Sequence, residues 1–109
     1  MDTDFAWVIS DQANNIYGLG HLKFRQDSEA QIAGLYFVPE VIGKGLGKSL
    51  VQIMFTECRS KRTKAVILSA TKTAKCFYQS VGFEQIGPPS SIMIGGQEVE
   101  CFNMKTILN

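Results

Sequence analysis

At 109 residues, with 45% hydrophobic and 19% charged side chains, the chain has the make-up of one globular domain around a single core, not of a disordered segment. A net charge of +1 leaves no basic excess for nucleic-acid binding through bulk phosphate attraction, and no apolar run approaches the roughly 20 residues that cross a bilayer as a helix. Cys58, Cys76 and Cys101 have neither CxxC nor Cys/His metal spacing, so no metal is expected, and their odd number with no legible signal peptide fits a reducing cytoplasm.

"FAWVIS" (5–10) is apolar and β-prone, "DQANN" (11–15) has turn composition, and "IYGLGHLKF" (16–24) reads as the returning strand of an antiparallel hairpin. After the polar "RQDSEA", a third strand is predicted over "QIAGLYFVP" (31–39), ended by Pro39, which cannot donate to a ladder. The period then changes. Leu46, Leu50 and Met54, with Val51, Phe55 and Cys58 beside them, recur every three or four residues and predict a helix that ends in the basic run "RSKRTK" (59–64). Cations suit a helix C-terminus, so that run reads as a solvated helix end.

"AVILSA" (65–70) is continuously apolar, as for a central strand covered on both faces. Strand, helix and strand within so short a span make a βαβ unit, which requires 31–38 and 65–70 to be parallel. A shorter helix follows at 73–80, stopped by Gly82; then come a strand at 83–87, the breaker "PPSS", a turn at Gly95–Gly96 and a final strand whose Val99, Cys101 and Asn103 share a face. The fold class is α/β (α+β), a mixed and mostly antiparallel sheet in a single domain with a central βαβ crossover.

The stretch "VPEVIGKGLGKSL" (38–50) places three glycines and two lysines at the start of the long helix. Such turns hold phosphate, because backbone N–H groups converge there and the helix dipole favours negative charge. It is not a Walker A loop, since the position that must be glycine is Ile42. Nor is it a dinucleotide GxGxxG turn: counted from Gly43 the last position is Lys48, and from Gly45 it is Leu50. A turn with no ligand is the plainer reading, but three alternating glycines sacrifice backbone entropy that needs a reason.

"LYFVPEVIGKGLGKSL" resembles the central motif of the GNAT superfamily of N-acetyltransferases: a strand, a proline, then Q/R-x-x-G-x-G/A opening a long helix, with Ile42 in place of the usual Gln or Arg. The family's later Asn-x-x-Ala-x-x-Phe/Leu-Tyr motif with Gly-Phe following is similar to "TKTAKCFYQSVGF" (71–83), where Thr71 replaces Asn and Ala74, Phe77, Tyr78, Gly82 and Phe83 fall in place. The resemblance runs over roughly residues 31–108. It implies acetyl-coenzyme A as co-substrate, with its pyrophosphate on the backbone of Gly43, Lys44, Gly45, Leu46, Gly47 and Lys48. Its pantetheine arm would lie along Leu35, Tyr36, Phe37 and Val38, where strands 31–38 and 65–70 splay apart, with Thr71, Ala74, Phe77 and Tyr78 completing the site.

Acetyl transfer to an amine needs a neutral amine, a polarised carbonyl, a donor for the developing oxyanion and a proton for the leaving thiolate. The resemblance implies that Tyr78 is the general acid, against the plainer reading of a helix tyrosine packed on the sheet, and a main-chain N–H near Phe37 or Val38 would meet the oxyanion. Neither "QIAGLYFV" nor "AVILSA" offers a carboxylate base, so His21, the sole histidine, is the candidate, with Glu29, Glu40 and a water chain behind it. Cys76 has no histidine in sequence reach and is expected to be a small packing residue.

Only Met1–Asp4 precede the first strand, where the family usually has a strand and two helices, so the acceptor cleft is expected to be open or completed by a second chain in a homodimer. The acceptor would be a primary amine on a small molecule or peptide. Ile42, Thr71 and the unlocated base keep a coenzyme A-binding module with little activity as the alternative.

Overall fold

The computed structural model describes residues 3–108. β1 (Thr3–Ser10) and β2 (Ile16–Phe24) form the antiparallel hairpin, in register from Thr3–Phe24 to Ile9–Gly18. Asp11 builds its turn: the carboxylate accepts from the N–H groups of Ala13 at 2.9 Å and Asn15 at 3.0 Å, from Asn15 Nδ2 at 3.0 Å and from the Tyr17 hydroxyl at 2.7 Å. These bonds satisfy a loop that has no ladder of its own.

β3 (Glu29–Phe37) starts two residues earlier than its apolar run implies, because the left-handed pair Asp27 and Ser28 turns the chain tightly and lets Arg25 donate to the Glu29 carbonyl at 2.8 Å. It ends at Phe37, and Pro39–Val41 form a single 3₁₀ turn, so the proline opens that turn rather than closing the strand. α1 (Leu46–Ser60) buries Leu50, Val51, Met54, Phe55 and Cys58, as the periodicity requires, and its basic end is exposed. β4 (Ala65–Thr71), α2 (Lys72–Ser80), β5 (Glu84–Gln85), β6 (Ser90–Ile94) and β7 (Gln97–Ile107) complete the chain. The strand predicted at 83–87 is thus only two residues long. Phe83 leaves the ladder to fill the core, with its ring 5.9 Å from Phe55 and 5.7 Å from Tyr78.

The sheet runs β1-β2-β3-β4-β7-β5, with β6 also on β7, and only the β3–β4 contact is parallel. Both helices lie on one side of it: residues of α1 and α2 join Leu22, Ile32, Val66, Leu68, Phe102 and Met104 in a single core. The other side is bare. β4 is therefore covered on one face only, with Val66, Leu68 and Ala70 buried, Ile67 half-buried, and Ser69 and Thr71 exposed, which corrects the expectation of a strand covered twice. Among the described residues no helix is long and apolar enough to cross a membrane.

Candidate functional site

α1 begins without the usual means of satisfying its first amides. Its N-cap is Gly45, left-handed at φ 83°, which carries no capping side chain, and the first turn holds no acidic residue. Ser49 is the first residue whose N–H reaches back, to the Gly45 carbonyl at 3.1 Å. The amides of Gly45, Leu46, Gly47 and Lys48 are thus left at the positive end of the helix dipole, and Lys48 adds a like charge there. Such an end is unfavourable alone and favourable with an anion seated on it. Gly43, at φ 87°, turns the chain into this cradle in a conformation that L side chains rarely adopt.

The cradle opens onto a cleft of about 510 Å³ whose walls come from β3 (Leu35, Phe37), the glycine turn and α2 (Ala74, Phe77, Tyr78). The cleft exists because β3 and β4 part. They pair only from Glu29–Ala65 to Gln31–Ile67, while β4 stays paired with β7 through Thr71. A bulge between the His21–Gly34 and Leu22–Ile32 pairs turns β3 at the fork, with Ala33 the extra residue. Beyond it the Val38 N–H donates to the Tyr17 carbonyl at 2.9 Å. Antiparallel pairs alternate, so Tyr36 also faces β2 with its main chain, while the amides of Leu35 and Phe37 face the parted edge with no strand to receive them.

Several sequence-predicted residues therefore sit elsewhere. The Val38 amide, expected as one of two oxyanion donors, is already bonded to Tyr17, whereas the Phe37 amide faces the parted edge. Tyr36 points its ring to the bare face and is 58% exposed. The Lys44 amide donates to the Val41 carbonyl at 3.2 Å within the turn, so only its side chain is free for an anion, whereas Leu46, half-buried, keeps its amide in the cradle. Thr71 is not in the cleft wall: it caps α2, its Oγ1 accepting from the Ala74 N–H at 3.4 Å. Val41 and Ile42 also line the cleft, outside the positions the motif marks; Ile42, a departure from a polar position in the sequence pattern, stands there as apolar wall.

Tyr78 is buried to 8% exposure, edge-on to Phe77 at 5.2 Å, and burial pushes its phenol above the ordinary range, so it carries its proton at neutral pH. His21 is on the bare face, outside the cleft, with Nε2 3.3 Å from Asp4 Oδ2 on β1. Glu29 is half-buried and Glu40 exposed, and neither lines the cleft. Cys76 is exposed rather than packed; Cys58 and Cys101 are the buried thiols, and desolvation pushes Cys58 up to about 11. Among the described residues no cluster of His, Cys, Asp or Glu has the form of a metal site.

The profile of the Acetyltransferase (GNAT) domain matches residues 1–106. An uncharacterized N-acetyltransferase of Escherichia coli, YjgM, is 33% identical over 86 residues, which cover 73% of this chain and 51% of that protein, so the chain spans about half the length of the curated relative it matches. An acetyltransferase from Bacillus cereus superposes with a TM-score of 0.84 at 16% identity, over 98% of this chain and 74% of the other. A spermidine N-acetyltransferase chimera from Vibrio cholerae and hSSAT gives 0.76 at 18% identity, over 95% and 69%. These last likenesses are of fold. With the family profile matching residues 1–106, nearly the whole of this chain, and with a glycine cradle and a forked sheet of the kind just described, the chain belongs to the GNAT acetyltransferase family.

Proposed function

We propose that the protein is an acetyl-coenzyme A-dependent N-acetyltransferase of the reducing cytoplasm, moving acetyl to a primary amine of a small molecule or peptide by direct attack in a ternary complex. The observation that carries this reading is the continuity of one cleft from the uncapped amides of Gly45–Lys48, along the unpaired edge of β3, to Tyr78. The residues fit the co-substrate: amides and Lys48 for its diphosphate, and Leu35 and Phe37 for sheet-like bonds to its amide-bearing arm. The co-substrate supplies the acetyl group as a thioester.

This chain's residues do the rest. The Phe37 N–H meets negative charge developing on the carbonyl oxygen. Tyr78 holds a proton for the departing sulfur, and burial keeps it there at neutral pH. His21, which faces Gly34 across β2 and β3 on the bare face, takes the proton that the amine loses. A second copy of the chain covers the apolar part of that face between β1 and β3.

The apolar Ile42, 69% exposed at the mouth, favours the second reading of a coenzyme A-binding module with little turnover. One experiment separates them. Calorimetry with acetyl-coenzyme A is paired with thiol release across a panel of amines, on the wild type and Tyr78→Phe. We expect binding in both, and turnover that falls by about two orders of magnitude in the variant, the lower range for general acid catalysis. Binding without turnover on any amine selects the module, and no heat on adding the co-substrate rejects both.

A further inference from the structure

We propose that the acceptor binds on the bare face at the crotch of the fork, and that the site selects an α-amine standing beside an amide carbonyl. The assignment rests on the acetyltransferase reading and deepens it. A second pocket, of about 420 Å³, lies there, lined on the strands by Gln31 and Ile67, the last pair that joins β3 to β4, and by Ser69 and Asn103, which face each other across β4 and β7. Each of these four side chains alternates with a core residue (Ile32, Leu68, Met104), so all four point away from the helices. The cofactor cleft lies on the helix side of the same fork. Beyond Gln31 no β3–β4 ladder closes the sheet, so it is at this fork that the acetyl end of the co-substrate would meet an acceptor on the other side.

The polar groups in this pocket are polarised by bonds already made. The Ser69 hydroxyl donates to Asn103 Oδ1 at 2.8 Å, which leaves the serine oxygen's lone pairs as acceptor and Asn103 Nδ2 as donor. Asn103 is fixed further by its carbonyl, which takes the Ile86 N–H at 2.8 Å. Gln31 Oε1 accepts from Arg25 Nη1 at 2.8 Å, leaving Nε2 as a second donor. One acceptor beside two donors matches a neutral amine N–H next to a carbonyl oxygen. Ile67 and Ile86 supply an apolar wall for the side chain between them.

No carboxylate lines the pocket, so a second ammonium finds no partner within it; Lys105, opposite Ile67 on the same face, is itself faced by Glu84 of β5. The lining therefore disfavours a polyamine. An α-amino amide occurs both as a free amino-acid amide and as the N-terminus of a peptide, and the chemistry read here is common to the two.

The test follows thiol release by the full chain with acetyl-coenzyme A and four amines: leucinamide, the tripeptide Leu-Gly-Gly, isoamylamine, which keeps the leucyl shape without the amide, and spermidine. We expect kcat/KM for leucinamide or the tripeptide to exceed that for isoamylamine by roughly tenfold, the scale of one well-made hydrogen bond. Whichever of the first two is faster identifies the source. Asn103→Leu and the surface variant Ser69→Ala bring that ratio to near one by raising KM for the amide-bearing amines, leave KM for acetyl-coenzyme A unchanged, and are matched by recovery in Ser69→Thr. Turnover led by spermidine or isoamylamine, or a ratio unmoved in both variants, overturns the acceptor assignment and leaves the acetyltransferase reading standing. No turnover of any of the four, with the co-substrate bound, overturns both.

Discussion

Gly47 is the residue at which folding and ligand binding pull in opposite directions. It lies in the first turn of α1 without a positive φ, so alanine is compatible with its backbone and favours the helix by up to about 1 kcal/mol. An added Cβ, however, meets the Phe77 ring at 3.0 and 3.1 Å, and both residues are cleft wall. The ring must yield by a few tenths of an ångström, toward the space assigned to the co-substrate. Gly47→Ala is therefore expected to hold or raise the melting temperature while weakening acetyl-coenzyme A by about tenfold, roughly 1.4 kcal/mol, in calorimetry. Unchanged affinity would mean that nothing passes between Gly47 and Phe77. The glycines themselves were legible in the sequence. Which of them needed φ and which needed space was not, because that depends on α2 coming to lie against α1.

At the scale of elements, the turn between β1 and β2 braces the site from outside. Tyr17 gives its hydroxyl to Asp11 and its carbonyl to the Val38 amide, so the hairpin turn and the end of β3 are tied through one residue. The Asp11 carboxyl is held down at about 2, first by the Asn15 side chain and then by the Tyr17 hydroxyl. Folding lowers it from 3.8, so between the two values the unfolded chain binds more protons. The turn's contribution is complete above the unfolded value and fades as pH falls toward the folded one. A carboxyl-carbon NMR titration should put the Asp11 midpoint near the folded value, and Tyr17→Phe should move it upward. A midpoint that ignores Tyr17 would show the brace to be slack in solution. Sequence composition announced this turn, and periodicity announced α1, because both depend on neighbours in the chain. The start of β3 depends on the left-handed backbone at Asp27–Ser28 and on pairing with Ala65, and the reduction of 83–87 to two residues on the aromatic contacts of Phe83, none of which the apolar pattern contains.

For the whole molecule, the governing fact is a sheet with helices on one side only. The motifs pointed to the helix-side cleft because they carry its glycines and its tyrosine. The bare side left no motif: Ser69 and Asn103 become neighbours only when β7 inserts beside β4, 34 residues on in the chain. Away from that polar pocket, the bare side between β1 and β3 carries Val8 at 56%, Leu19 at 45% and Tyr36 at 58% exposure, and β1 is a sheet edge holding neither proline nor lysine. Unpaired edges and contiguous apolar surface favour association, and a two-fold contact lets the same patch cover itself. The protein is expected to sediment as a dimer at tens of micromolar. Leu19→Glu, placed where the side chain already meets solvent, should return it to a monomer with little loss of melting temperature, since no core contact is removed. A wild type that sediments as a monomer at that concentration would place the hydrophobic face in water unaided. Because Leu19 lies on β2, with β3 between it and the fork, and points to the bare face, monomeric Leu19→Glu should keep its affinity for acetyl-coenzyme A. Loss of that affinity together with the dimer would tie the cradle of α1 to the second copy.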